Sequence, residues 1–190
     1  TVADDLGNGN YSVHYRCSQE STNSGEQYIL SKQDAGANYY GWRFGFSNGV
    51  IRTSIHGTGA AVEHNESTDY RDGKIHDYIF TFNSDQTELK TYVDGVLIST
   101  SDKSAAGATN PAAATIIGAS YTGSSQEFVG DIHNVKIYNT VLTADEVKEL
   151  YSGASVPFKY KGASQTELVT NGTFATGDLT GWTTGANWSV

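Results

Sequence analysis

Cysteine, proline and methionine are nearly missing from this chain: there is one Cys, there are two Pro, and there is no Met. A lone Cys17 excludes an internal disulfide. In "YSVHYRC" it falls in phase with Tyr11, Val13 and Tyr15, and nothing nearby in sequence would lower its pKa. It is therefore expected to be a buried small apolar residue rather than a reactive thiolate. No apolar run is long enough to span a bilayer. Positive charge is scarce, with 12 Lys and Arg against 21 Asp and Glu, a net charge of -9. Such a surface repels phosphate backbones, which argues against nucleic acid as a partner. The five His residues are scattered and form no HExxH pair, so a zinc site is not expected. With no Met even at position 1, the chain is expected to be a segment of a longer protein.

Hydrophobic residues make up 37% of the chain and charged residues 17%, enough to build a core. The 12 Tyr suit pleated, half-buried surfaces, and the 21 Gly suit tight turns. "NYSVHYRC" alternates apolar and polar residues, as a strand with one buried face does. In "YYGWRFGF", Tyr40, Trp42, Phe44 and Phe46 share one face, and Tyr39, Gly41, Arg43 and Gly45 share the other. After the turn "SNG", "VIRTSIH" places Ile51 and Ile55 inward and Arg52, Ser54 and His56 outward. "HDYIFTFN" aligns Tyr78, Phe80 and Phe82. "ELKTYVDGVLIST" is a hairpin, because Asp94-Gly95 suits the two positive-φ positions of a type I′ turn. "VEHNES", with Glu63 and Glu66, reads as a turn. "AATIIGAS" and "EFVGDIHNVKIYN" supply the last strands. The pattern predicts an all-β fold.

One helix interrupts it. Thr143 and Glu146 frame a capping box before the apolar stripe Val147, Leu150 and Tyr151, and Gly153 suits a C-cap. A lone helix on a sandwich is expected to act as a lid over one end or one open edge. Residues 154–166 read as a linker, and 167–190 as the start of a second β module or a strand packing back on the first domain.

"YSVHYRC", "QYILSKQDAGANYYGWRFGFSNGVI", "HDYIFTFNSDQTELKTYVDGVLIST" and "FVGDIHNVKIYNTVLTADEVKELYSG" occur in the order seen in laminin-G-like and pentraxin-like domains. Residues 1–153 thus resemble members of the concanavalin A-like lectin and glucanase superfamily. The resemblance implies two antiparallel sheets stacked as a jelly-roll sandwich, with the short helix docked near the C-terminus. "ELVTNGTFATGDLTGW" resembles the opening of a carbohydrate-binding β-sandwich module.

The same resemblance frames the chemistry. Glucanases of this fold carry paired carboxylates on one strand, and no ExDxE stretch occurs here. Pentraxins hold calcium partly through the loop before "GDI". Gln126 matches an amide position of that loop. Gly123, Tyr121 and Thr122 stand where acids would be expected, and His133 replaces another acid. Asp131 remains, with Asp4 or Asp5 near it, so one structural calcium is the metal expectation. "DYRDGKIHD" is read as a polar turn rather than a cation loop. For sugar binding the outward faces offer Tyr39, Arg43, Arg52 and His56 on neighbouring strands, with Tyr121 at the rim. The expectation is a non-catalytic, lectin-like carbohydrate-binding or adhesion module of a larger extracellular or phage virion protein, meeting glycans on a cell surface or polysaccharide. The alternatives are a structural or protein-interaction domain, such as a virion decoration, and, behind both, a glucanase- or lyase-type enzyme.

Overall fold

Alternation along the chain becomes two stacked sheets in the computed structural model, which describes residues 9–22, 24–34, 40–83, 87–106, 109, 114–120 and 126–152. All of these belong to the first of two units into which the chain divides, Thr1–Val156. Outside the described residues lie Tyr39, Tyr121, Asp4, Asp5, Gly153, the expected linker at 154–166 and the expected second module at 167–190.

The strands are β1 (Tyr11–Gln19), β2 (Glu26–Gln33), β3 (Gly41–Ser47), β4 (Val50–His56), β5 (Val62–Asp69), β6 (Ile75–Asn83), β7 (Glu88–Val93), β8 (Val96–Asp102), β9 (Ile116–Ile117) and β10 (Gly130–Tyr138). Among the described residues they form two five-stranded sheets, a front sheet ordered β5-β4-β3-β2-β9 and a back sheet ordered β10-β1-β6-β7-β8. Every pairing among them is antiparallel. Two-residue turns close two of the hairpins. Asn48-Gly49 joins β3 to β4 with φ of 51° and 84°, and Asp94-Gly95 joins β7 to β8 with φ of 50° and 77°. Both match the positive-φ geometry that follows the right-handed twist of the strands.

The inward faces fuse into one aromatic core. Tyr11, Val13, Tyr15 and Cys17 of β1, Trp42, Phe44 and Phe46 of β3, and Tyr78, Phe80 and Phe82 of β6 are all buried in it, with Ile132, Val135 and Ile137 packed at its margin. Ring centroids of Phe44 and Phe80 meet across the two sheets at 5.1 Å, and those of Phe46 and Tyr78 meet edge-on at 5.1 Å. Each such side chain contributes about 1.5–3 kcal/mol by leaving water. Burial drives the Cys17 thiol strongly upward, with Asp77 adding to it, so it stays protonated as expected of a core residue.

The helix α1 (Ala144–Tyr151) has the expected cap: Glu146 N donates to Thr143 Oγ1 at 3.3 Å, and Thr143 N donates to Glu146 Oε2 at 2.8 Å. Its C-cap is Ser152, whose N–H donates to the Lys148 carbonyl. Its position differs from the expected lid. Val147 and Leu142 pack on Ile79 and Tyr92, with Tyr138 and Leu150 alongside, forming a small second core on the outer face of the back sheet. Ile79 and Tyr92 are cross-strand partners pointing away from the main core, and this apolar pair is what the helix covers. Ser12 Oγ ties the connection down, donating to the Thr140 carbonyl at 2.8 Å and accepting from Leu142 N at 2.9 Å.

"VEHNES" is the second difference. It is not a turn but the middle of β5, the edge strand of the front sheet. Its inward Glu66 accepts from Ser99 of β8, linking the edge strands of the two sheets.

Candidate functional site

The outer face of the front sheet is polar from β2 to β5, and strand register decides which side chains meet there. One cross-strand row runs Tyr28–Gly45–Arg52–Asn65, and the next runs Ser31–Arg43–Ser54–Glu63. His56 pairs with Gly41 in a third row. A bulge between Tyr28 and Leu30 shifts the phase of β2. It lets Ile29 and Leu30 both enter the core while Glu26, Tyr28 and Ser31 face out.

Two guanidiniums organise this face. Arg52 Nη2 lies 2.7 Å from Glu63 Oε2 and 3.0 Å from Glu26 Oε1. Its Nε donates to the Tyr28 hydroxyl at 3.1 Å, and Nη1 donates to Asn65 Oδ1 at 3.3 Å. Arg43 is stacked over the Tyr28 ring, 4.5 Å from its centroid. Its Nη1 donates to Gln126 Oε1 and its Nη2 to Ser54 Oγ, both at 3.3 Å. Gln126 in turn donates to Glu26 Oε2 at 2.5 Å. Ser54 Oγ also meets His56 Nε2 at 2.7 Å, and His56 stands 3.6 Å from Glu63 Oε1.

Burial shapes the protonation states. It pushes the Tyr28 hydroxyl up to about 12, against the pull of Arg43 and Arg52. Burial and the Arg43 charge lower the His56 pKa, so the imidazole is neutral at pH 7. Burial works against the Arg52 charge, but Tyr28, Glu26 and Glu63 together raise its pKa above the ordinary value.

The set is a network of fixed hydrogen bonds and ion pairs. The Ser54–His56 pair has the spacing of a nucleophile and its base, but Ser54 is fully buried and also bonded to Arg43. A glycosidase pair needs one carboxyl that carries a proton beside one that does not. Here Glu26 and Glu63 both contact the same guanidinium.

The structure brings three of the expected residues together: Arg43, Arg52 and His56. Arg43 is outward, as alternation required, yet only 9% of its side chain is exposed. Glu26, Tyr28, Glu63 and Gln126 complete the network without having been expected there. Gln126, which matches an amide of the pentraxin calcium loop, is occupied by Arg43 and Glu26 instead.

The expected calcium ligand Asp131 sits in β10 opposite Ser18, on the other sheet. Among the described residues no group of three or more His, Cys, Asp or Glu could hold a metal. The acids of "DYRDGKIHD" take separate partners: Asp69 binds Arg71, Asp72 accepts from Lys74 N, and Asp77 meets His14 Nε2 at 2.7 Å. No helix among the described residues is long and apolar enough to cross a membrane.

With fold and face described, comparison places the chain in its family. A family profile matches residues 1–148, and the protein belongs to the concanavalin A-like lectin/glucanases superfamily. Among solved structures it is similar to the CBM40 module of a Ruminococcus gnavus IT-sialidase, at 16% identity and a TM-score of 0.62, over 76% of this chain and 84% of that one. It is also similar to the receptor binding domain of botulinum neurotoxin mosaic serotype C/D, at 17% identity and a TM-score of 0.60, over 77% of this chain and 37% of that one. A third similar structure is the binding domain of Paraclostridial Mosquitocidal Protein 1, at 13% identity and a TM-score of 0.61, over 76% of this chain and 37% of that one. At these identities the likeness speaks for the sandwich fold. No curated protein matches the sequence.

Proposed function

We propose that this domain is a non-catalytic, lectin-like module that binds glycans on the outer face of its front sheet, as part of a larger extracellular or virion-surface protein. The observation that carries the reading is the Arg52 guanidinium, locked between Glu26, Glu63, Tyr28 and Asn65. A planar donor fork held among fixed acceptors presents, without further ordering, the donors and acceptors that vicinal hydroxyls need. The sialidase CBM40 has also been solved bound to α2,3 sialyllactose, which supports glycan recognition as a use of this sandwich. The test is a glycan array followed by calorimetric titration of any ligand found. Arg52→Ala abolishes binding while the fold persists, as judged by its thermal midpoint. A full array without a hit contradicts the reading. Chelator leaves binding unchanged, because the network is held by its own side chains. The calcium expectation at Asp131 is tested separately, by a rise in thermal midpoint on adding calcium.

A second reading, a protein-interaction domain, has its own observation. Val96, Leu97 and Ile98 of the back-sheet edge strand β8 are 63%, 48% and 37% exposed. Consecutive exposed apolar residues on a sheet edge invite strand pairing. Sedimentation across a concentration range tests it: self-association lost in Val96→Lys/Ile98→Lys favours this reading.

A further inference from the structure

The reading of the front sheet as a glycan site leaves the chemical class of the glycan open, and the distribution of charge across that site narrows it. Arg43 and Arg52 face two carboxylates, Glu26 and Glu63, within 4 Å. The groups packed against them are His56, Tyr28, Asn65, Ser54 and Gln126, and at pH 7 none of these carries charge. The reachable face is therefore balanced, two positive charges against two negative ones. Lys103 interacts with Glu63 from within the protein, but at 3% exposure its ammonium is out of a ligand's reach.

Depth then breaks the balance in favour of the acids. The side chains of Glu63 and Glu26 are 39% and 30% exposed, whereas those of Arg52 and Arg43 are 12% and 9% exposed. An incoming molecule meets carboxylate oxygens first and the guanidiniums behind them. Carboxylates accept hydrogen bonds and donate none. An anionic sugar that approaches either guanidinium is brought beside an internal carboxylate of like charge. The net charge of -9 on the whole chain adds a field of the same sign. A hydroxyl pair meets neither obstacle. It donates to Glu63 or Glu26 and accepts from the edge of Arg52.

We propose that the front-sheet site selects uncharged saccharides and rejects those bearing a carboxylate or sulfate. The inference rests on the glycan reading above and can fail without it. Neutral and acidic versions of one core sugar are compared by titration at constant salt: lactose against 3′-sialyllactose, and lactose against its sulfated derivative. The same pairs are then run on Glu26→Gln/Glu63→Gln, in which the guanidiniums lose their internal counter-charges. Because the double variant removes two ion pairs, Glu63→Gln alone, at the sheet edge, is measured beside it, with thermal midpoints for both.

The expected result is neutral sugar bound at least roughly tenfold more tightly than its acidic counterpart by the wild-type chain. The ratio falls in Glu63→Gln and reverses in the double variant. Equal or tighter binding of the acidic sugar by the wild-type chain overturns the charge inference and leaves the glycan reading standing. A wild-type preference for neutral sugar that both variants retain also overturns it, since the carboxylates would not be its source. Binding of no sugar in either class overturns the glycan reading and the inference together.

Discussion

Arg52 reaches across Gly45 to place its Nε 3.1 Å from the Tyr28 hydroxyl. Gly45 is the cross-strand partner of both residues, so a side chain there would stand in the path. A Cβ added to Gly45 would come within 2.1 Å of the Gln27 carbonyl oxygen and 2.6 Å of the Tyr28 Cα, both backbone atoms that cannot step aside. Gly45→Ala is therefore expected to destabilise the domain by about 1–3 kcal/mol and to weaken ligand binding along with it. Chemical denaturation with a parallel titration checks both. A variant of unchanged stability would mean that β2 and β3 are not so closely apposed.

Lys103 is a buried cation whose ammonium has no hydrogen-bond partner among the described residues. Burial lowers its pKa from 10.5 to about 8, with Asp102 and Glu63 opposing the fall. Below pH 8 the ammonium is charged in both folded and unfolded chains, and the desolvation cost is present in full. Between pH 8 and 10.5 the folded chain binds fewer protons than the unfolded one, so this group makes stability rise with pH across that window. Lys103→Met is expected to gain about 1–3 kcal/mol at pH 7 and to lose the rise. Denaturation of both proteins at pH 7 and near pH 9.5 measures the difference. Cys17, Tyr11, Tyr15 and Tyr78, whose pKa values burial raises, act with the opposite sign at alkaline pH, but equally in both proteins, so the difference between them isolates Lys103.

His56 supplies the acid-side counterpart. Its folded pKa lies below the ordinary value because burial and Arg43 disfavour the charge, against Glu63. As pH falls through about 6.5, the unfolded chain takes up this proton before the folded one. Stability is lost in that step. His56→Gln is expected to show a shallower loss of thermal midpoint between pH 7 and 5 than the wild type. An unchanged slope would place the acid sensitivity elsewhere.

The helix offers a prediction in two parts. Thr143→Ala removes one half of a capping box and is expected to cost about 1 kcal/mol. Val147→Ala opens a void between the helix and Ile79–Tyr92 and is expected to cost roughly 2 kcal/mol. Neither residue lies near the front sheet, so glycan binding should keep its affinity in both variants. A loss of affinity without a loss of stability would show that the outer face of the back sheet takes part in recognition.

How much of this was legible in the sequence depended on how strictly each strand alternates. β3 and β4 alternate without interruption and are joined by a two-residue turn. Arg43, Arg52 and His56 therefore fall on one face by alternation alone. β2 has a bulge at Ile29, which turns Glu26 and Tyr28 outward in a way no simple period shows. β5 carries only Val62 as an apolar residue in "VEHNESTD". Its pairing with β4 and the Arg52–Glu63 contact are what hold it as a strand, and neither shows as an apolar period in the sequence. Gln126 arrives from a loop a hundred residues distant from Glu26. The helix was legible as an element but not in its position, because the apolar pair it covers is assembled from two different strands. The alternating aromatics of β1, β3 and β6 made an all-β fold legible, and the two-sheet sandwich was what the family resemblance implied.

Recognition on the outer face of the front sheet is checked by backbone amide shift mapping during titration with a neutral saccharide. Perturbations are expected to concentrate at Tyr28, Gly45, Arg52 and Glu63, together with the Arg52 Nε–H. Perturbations confined to Val96–Ile98 of β8 or to helix α1, with the front sheet silent, would contradict it.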